Sequence, residues 1–260
     1  MCLLIFAHQV SLDYPLLIAA NRDEFHARPT ATSDFWIDHP DLLAGKDLEQ
    51  GGTWMGVTRG GRFAAVTNYR DPARTAPAPC SRGELPLRYL AGAQSPQSYL
   101  LMVANQAPDY AGFNLLVGDG SSLWYFTNSD RLEPQHLPPG IYGLSNARLD
   151  TPWPKVEAGK ARIQAIVKAL TDGGAETQDM THDVLATVVS ARKMADPGEL
   201  RALNLESPME QVLSAQFIVT ETYGTRSCTT LWTDAQRNTS WREQSFDARG
   251  MPSAVRQHDF

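Results

Sequence analysis

The chain has 260 residues, 42% of them hydrophobic, and a formal net charge of −6. That is enough for one large core or two modest ones, and the negative charge with scattered arginines opposes a nucleic-acid footprint, which needs a concentrated basic patch. No apolar run reaches the roughly 18 residues of a bilayer span, the start lacks a secretory signal, and Cys2, Cys80 and Cys228 are too widely spaced for a disulfide framework or a zinc pair, so a reducing cytoplasmic setting without metal is expected.

Leu3 to Ala7 reads as a strand buried on both faces, followed by a polar turn, His8 to Tyr14, and a second apolar run, Leu16 to Ala20, as in a hairpin. A loop around Arg28-Pro29-Thr30 leads to Trp36. The segments Trp54 to Val57 and Phe63 to Thr67 flank Arg59-Gly60-Gly61-Arg62, whose paired glycines suit a tight reversal. Asp71 to Pro79 is rich in proline and alanine and reads as a loop. Ser81-Arg82-Gly83-Glu84 has the pattern of a capping box, although Pro86 lies deep for a helix, and Ser95-Pro96 opens a better one through Asn105.

Strands return at Phe113 to Val117 and Leu123 to Phe126, joined by Gly118-Asp119-Gly120-Ser121. Beyond Pro138-Pro139-Gly140 a short apolar approach reaches Leu144-Ser145-Asn146. Trp153 to Leu170 carries Val156, Ile163, Ile166, Val167 and Leu170 at helical spacing, and Gly173-Gly174 stops it. Thr181 caps a helix over His182 to Ala191, and Pro208 suits the first turn of another. Gln216 to Tyr223, Arg226 to Trp232 and Ser240 to Phe246 read as strands. Without regular βαβ alternation, this order predicts an α+β fold in one domain over residues 1–260.

Met1-Cys2 is the first chemical signal. A small second residue permits removal of the initiator methionine, which leaves an α-amine (pKa about 7.7–8.0) beside a thiol of about 8.5. One residue then holds a nucleophile and a base for its proton. Asn21-Arg22-Asp23-Glu24 ends the neighbouring strand, where an extended chain directs Asn21 and Asp23 to one side and Arg22 and Glu24 to the other. Asparagines recur at strand tails, at Asn68, Asn114 and Asn146. An amide donor suits a developing oxyanion and contributes about 2.7–4 kcal/mol there; each also suits a turn cap. Gly51-Gly52-Thr53-Trp54 offers either close ligand approach or a turn before a core tryptophan. Arg226, in Tyr223 to Thr230, is either a bidentate anion ligand or a structural ion-pair partner.

Taken together, Met1-Cys2, Asn21-Arg22-Asp23-Glu24, Gly52-Thr53-Trp54, Thr67-Asn68-Tyr69-Arg70, Leu144-Ser145-Asn146 and Gly224-Thr225-Arg226-Ser227 resemble the NRDE family, which is named after the tetrapeptide and includes transport-and-Golgi-organisation protein two of animals. The resemblance implies an N-terminal-nucleophile-hydrolase-like fold, a four-layer αββα sandwich of two mainly antiparallel sheets. More distantly, the chain is similar to choloylglycine hydrolases and penicillin V acylase, which begin Met-Cys and carry Arg-Asn-x-Asp after the next strand. That likeness implies Cys2 as nucleophile, Asn21 as their asparagine, Asp23 as the amine-orienting acid, and Asn68 with Asn146 as oxyanion and positioning groups. Their arginine is Ala20 here, so Arg22, on the same strand face, and Arg226 are the two candidates for its charge.

Two functions follow from the resemblance. One is a cysteine hydrolase of a non-peptide amide or acyl thioester, needing no cofactor, with Arg22, Trp54 and Arg226 contacting substrate. The other is a non-catalytic protein that binds and traffics haem or an acyl-CoA-like lipid in the same pocket. Haem needs an axial ligand, for which His8 and His26 are the nearest histidines in sequence. Specificity is expected in loops such as Phe25 to Asp41 and Asp71 to Pro79.

Overall fold

In the computed structural model the described residues are 2–70, 78–129, 133–172, 180–203, 205 and 207–260. The N-terminal third is six strands, β1 (Cys2–His8), β2 (Leu16–Phe25), β3 (Thr30–Trp36), β4 (His39–Asp47), β5 (Met55–Thr58) and β6 (Phe63–Asn68). Helices α1 (Glu84–Ala91) and α2 (Pro96–Asn105) follow, then strands β7 (Phe113–Gly118), β8 (Leu123–Thr127), β9 (Gln135–His136) and β10 (Gly140–Leu144). Four more helices, α3 (Pro154–Thr171), α4 (His182–Ala186), α5 (Pro197–Ala202) and α6 (Pro208–Leu213), precede the closing strands β11 (Tyr223–Thr233), β12 (Thr239–Phe246) and β13 (Pro252–Asp259).

One sheet has the order β10-β1-β2-β11-β12-β13 and the other β3-β4-β5-β6-β7-β8-β9, with antiparallel pairing throughout. Three apolar layers hold the sandwich. Cys2, Leu4, Phe6, Ile18, Leu116 and Trp241 pack between the sheets. Leu3, Ile5, Ala7, Val156, Ile163 and Leu185 fill the space between the first sheet and α3 and α4. Leu85, Tyr89, Leu100 and Val117 do the same between the second sheet and α1 and α2. This is the expected αββα architecture, and it explains why every residue of β1 is buried: even positions face the other sheet and odd ones face α3. Close packing requires glycine twice here. A Cβ on Gly143 would lie 2.4 Å from Val156 Cγ1, and one on Gly159 2.6 Å from Ile5 Cγ1.

Several elements differ from the sequence expectation. The span Phe25 to Asp41 contains β3 and the start of β4, whose mixed polar residues hide the alternation. The capping box at Ser81 does not form; Gly83 precedes α1 with no side-chain cap, and Pro86 sits in the first turn, where no N–H is required. Capping boxes form instead at Asp196 with Glu199 and at Ser207 with Glu210. Helix α4 ends at Ala186 rather than Ala191, ahead of the β-branched run Thr187-Val188-Val189. Gln216 to Thr222 is not a strand: the amides of Gln216 and Phe217 both bond to the Ala191 carbonyl, and β11 begins only at Tyr223. β13 was not expected at all. Residues 71–77 of the proline-rich loop and Gly173-Gly174 lie outside the described residues.

Candidate active site

The pairing of β1 with β2 builds the site. Cys2 lies opposite Arg22 and Leu3 opposite Asn21, so Asp23 flanks the end of β1 one step beyond Cys2. The tetrapeptide divides as strand geometry requires. Arg22 shares the inter-sheet face with Ala20 and Cys2, and its guanidinium stacks 4.3 Å from the Trp54 ring centroid. Asn21 and Asp23 face the helical layer. Asp23 Oδ1 accepts a 2.6 Å hydrogen bond from Thr225 Oγ1 on β11.

A cavity of about 370 Å³ opens at this end of the sandwich, lined by Cys2, Arg22, Asp23, Trp54, Asn68 and Arg82 among others. One wall depends on backbone contact between Gly52 and Gly83: the Thr53 amide bonds to the Gly83 carbonyl at 3.0 Å, and a Cβ on Gly52 would meet the Gly83 carbonyl carbon at 2.4 Å. The glycine pair in the sequence thus serves close approach of chain to chain. Cys2 is 9% exposed, and burial pushes its thiol pKa up. Burial also raises the Asp23 carboxyl pKa, opposed by the charge of Lys155 and the hydroxyl of Thr225. Arg22 Nη1 is buried with no hydrogen-bond partner among the described residues.

The other sequence candidates divide sharply. Asn68 lines the cavity. Asn146 does not; its Nδ2 donates to the Asn68 carbonyl at 2.9 Å and its Oδ1 accepts from Ser145 Oγ, so it positions Asn68. Asn114 is a clamp between the sheets: its Nδ2 donates to Thr67 Oγ1 (3.0 Å) and to the Ala147 carbonyl (2.9 Å). Asn21 points away from the cavity, and its Nδ2 donates to the carbonyls of Val189 (2.7 Å) and Gln216 (2.8 Å). Arg226 lies outside the lining and braces the turn after β2, with Nη1 donating to the carbonyls of Phe25, His26 and Arg28. Of the two candidates for the missing arginine's charge, only Arg22 reaches the cavity.

Neither histidine lines it either. His26 Nε2 lies 3.1 Å from the Thr220 carbonyl, and His8 is at the far end of β1. Among the described residues, the side chains in the lining able to ligate a haem iron are the two thiols, Cys2 and Cys80.

Sequence reasoning missed Lys155, Arg82 and Glu243. Lys155 is 4% exposed, its Nζ donates to the Leu213 carbonyl at 2.8 Å, and burial lowers its pKa to about 8, with Asp23 and Cys2 acting the other way. Its signal was spacing: Lys155 falls four residues before Gly159 and eight before Ile163, on the buried face of α3. Gln216 ties this lysine to the tetrapeptide, donating to the Lys155 carbonyl at 3.0 Å while its own carbonyl accepts from Asn21. Glu243 is 2% exposed on the inter-sheet side of β12. Its Oε1 accepts from the Ser33 amide at 2.9 Å, and burial raises its pKa to about 7.

The Transport and Golgi organisation 2 family matches residues 1–248. The mouse (Mus musculus) Transport and Golgi organization 2 homolog is 36% identical over 243 residues, which cover 89% of this chain and 87% of that protein. The human (Homo sapiens) homolog gives the same figures. The Drosophila melanogaster Transport and Golgi organization protein 2 is 29% identical over 181 residues, 63% of each chain. Among solved structures, an arginine-to-leucine variant of conjugated bile acid hydrolase from Clostridium perfringens superposes with a TM-score of 0.56 at 9% identity, covering 99% of this chain and 92% of that one. A cysteine-to-alanine mutant of the same hydrolase gives 0.54 at 9% identity, covering 100% and 92%. Identity that low speaks for the fold alone. No described helix is long and apolar enough to cross a membrane.

Proposed function

Since the chain belongs to the Transport and Golgi organisation 2 family and has an N-terminal-nucleophile-hydrolase fold, we propose that it is a cysteine hydrolase of a non-peptide amide or an acyl thioester. The supporting observation is Cys2 at the wall of a polar cavity, opposite Arg22 and one register step from Asp23. Removal of Met1 would free the α-amine of Cys2. That amine takes the Sγ proton, and the thiolate attacks the substrate carbonyl carbon. Asn68 stabilises the oxyanion, and the departing amine or thiol receives the proton from the ammonium group. A water molecule, deprotonated by the same amine, then cleaves the acyl thioester and releases a carboxylic acid. Asp23, held by Thr225 and in the field of Lys155, orients the amine. Arg22, stacked on Trp54 in the cavity wall, sets its positive charge beside the substrate.

An acyl electrophile such as a β-lactone tests this reading, because Cys80 shares the cavity and provides an internal control. Labelling is expected to persist in Cys80→Ser and vanish in Cys2→Ala; equal labelling of wild type and Cys2→Ala excludes the mechanism. A second reading, non-catalytic binding of haem or an acyl-CoA-like lipid, draws on Arg22 and Arg82 alone, since Arg28 in the same lining is ion-paired to Asp47 and Glu49. Undiminished ligand affinity in Cys2→Ala, with no turnover in wild type, selects that one.

A further inference from the structure

At the opposite end of the sandwich four hairpin turns meet: β1–β2, β5–β6, β7–β8 and β11–β12. They frame a second cavity, of about 310 Å³. It opens at His8, six residues along β1 from Cys2, which at about 3.3 Å per residue is roughly 20 Å away. Between the two, Leu4, Phe6, Ile18, Leu116 and Leu231 close the inter-sheet space with at most 2% exposure. The cavities are therefore separate.

The floor of this cavity is apolar, with Leu16, Val57, Phe63 and Leu123. Its rim carries three arginines, Arg59, Arg62 and Arg237, against two aspartates, Asp119 and Asp234, and Arg62 is committed to the carbonyls of Tyr89 and Gln94. The Arg59 guanidinium stacks 3.9 Å from the Phe35 ring centroid and 5.4 Å from that of Phe260, contacts that fix the group without using its N–H donors. Arg237 reaches across to the turn after β7, its Nη2 lying 3.6 Å from where a Cβ of Gly120 would be, and its side chain forms no hydrogen bond among the described residues. The two aspartates of the rim are engaged within their own turns. Asp119 Oδ1 accepts from the amides and hydroxyls of Ser121 and Ser122. Asp234 accepts from the amide and the side-chain Nδ2 of Asn238. Gln9 Nε2 donates to the Ser121 carbonyl at 3.1 Å and pins one sheet's turn to the other's. The walls are thus fixed by the fold, while two guanidinium groups keep their donors for something else.

We propose that this cavity is a second binding site, for a small amphipathic monoanion whose apolar body lies on Phe63 and Leu123 and whose carboxylate or sulfonate is held by Arg59 and Arg237. The full-length protein is titrated with the fluorescent probe 1-anilinonaphthalene-8-sulfonate, with octanoate, octanol and inorganic phosphate as competitors. The expected result is saturable binding that octanoate displaces and that octanol and phosphate do not. Affinity is expected to fall at least tenfold in Arg237→Glu, an exposed side chain whose replacement leaves the fold intact, and in Arg59→Ala/Arg237→Ala. It is expected to be unchanged in Cys2→Ala and Arg82→Ala, at the other cavity. Unchanged affinity in Arg237→Glu, loss of affinity in Cys2→Ala or Arg82→Ala, or absence of saturable binding would overturn the proposal. Equal displacement by phosphate overturns the requirement for an apolar body, and equal displacement by octanol overturns the requirement for charge.

Discussion

Cys2 and Asp23 reach the same strand ends from opposite faces of one sheet, and Lys155, buried on α3 at the Asp23 side, feels the charge of both. Its positive charge favours the ionised carboxylate that an orienting acid must have. Replacing it by methionine removes that support and raises the Asp23 pKa further. Lys155→Met is therefore expected to move the acid limb of pH-dependent acyl labelling toward neutral pH, a shift that a purely structural role for the lysine would not produce. Glu243 gives a prediction for stability. Its folded-state pKa of about 7 exceeds the ordinary 4.5, so the native state binds the extra proton. The associated stabilisation is complete below about pH 4.5 and is lost as pH rises through 7, about 3 kcal/mol in all. Glu243→Gln keeps an acceptor for the Ser33 amide and should flatten this slope, leaving the variant more stable than wild type above pH 7 in urea titrations at a series of pH values.

Elements carry the second kind of constraint. Asn21 is placed by β2 to fasten the segments around Val189 and Gln216 to the sheet, so it acts on the site through packing. Asn21→Ala leaves two buried carbonyls without their donors and is expected to cost about 2–4 kcal/mol, read from the urea midpoint. On the other sheet, Gly45 in β4 lies under Trp54, and a Cβ there would come within 2.2 Å of Trp54 Cη2. Gly45→Ala should displace the indole from Arg22 and weaken acyl labelling while Cys2 itself is untouched, with quenched or shifted tryptophan fluorescence as the direct readout.

At the scale of the molecule, legibility in the sequence followed burial pattern. β1, β2, β7, β8 and α3 were readable because continuous or helically spaced apolar residues leave no alternative use for Leu3 to Ala7 or for Val156 to Val167. β3 and β13 were not, because an edge strand such as Pro252–Asp259, exposed along almost its whole length, carries no apolar alternation. The placement of Arg22 on the face of Ala20 was readable from strand parity alone. The roles of Asn146, Arg226 and Lys155 were not, since each depends on a carbonyl or carboxylate brought from elsewhere in the chain: Asn68, Phe25 to Arg28, and Leu213 with Asp23.

The α-amine is the one group the proposed chemistry cannot do without. Intact-mass spectrometry of the protein purified from its native host, before and after β-lactone treatment, asks for it directly. A chain lighter by one methionine, gaining a single acyl adduct that maps to Cys2, is the predicted result. An adduct-forming chain that still carries Met1, or a processed chain whose Cys2 takes no adduct, would contradict it.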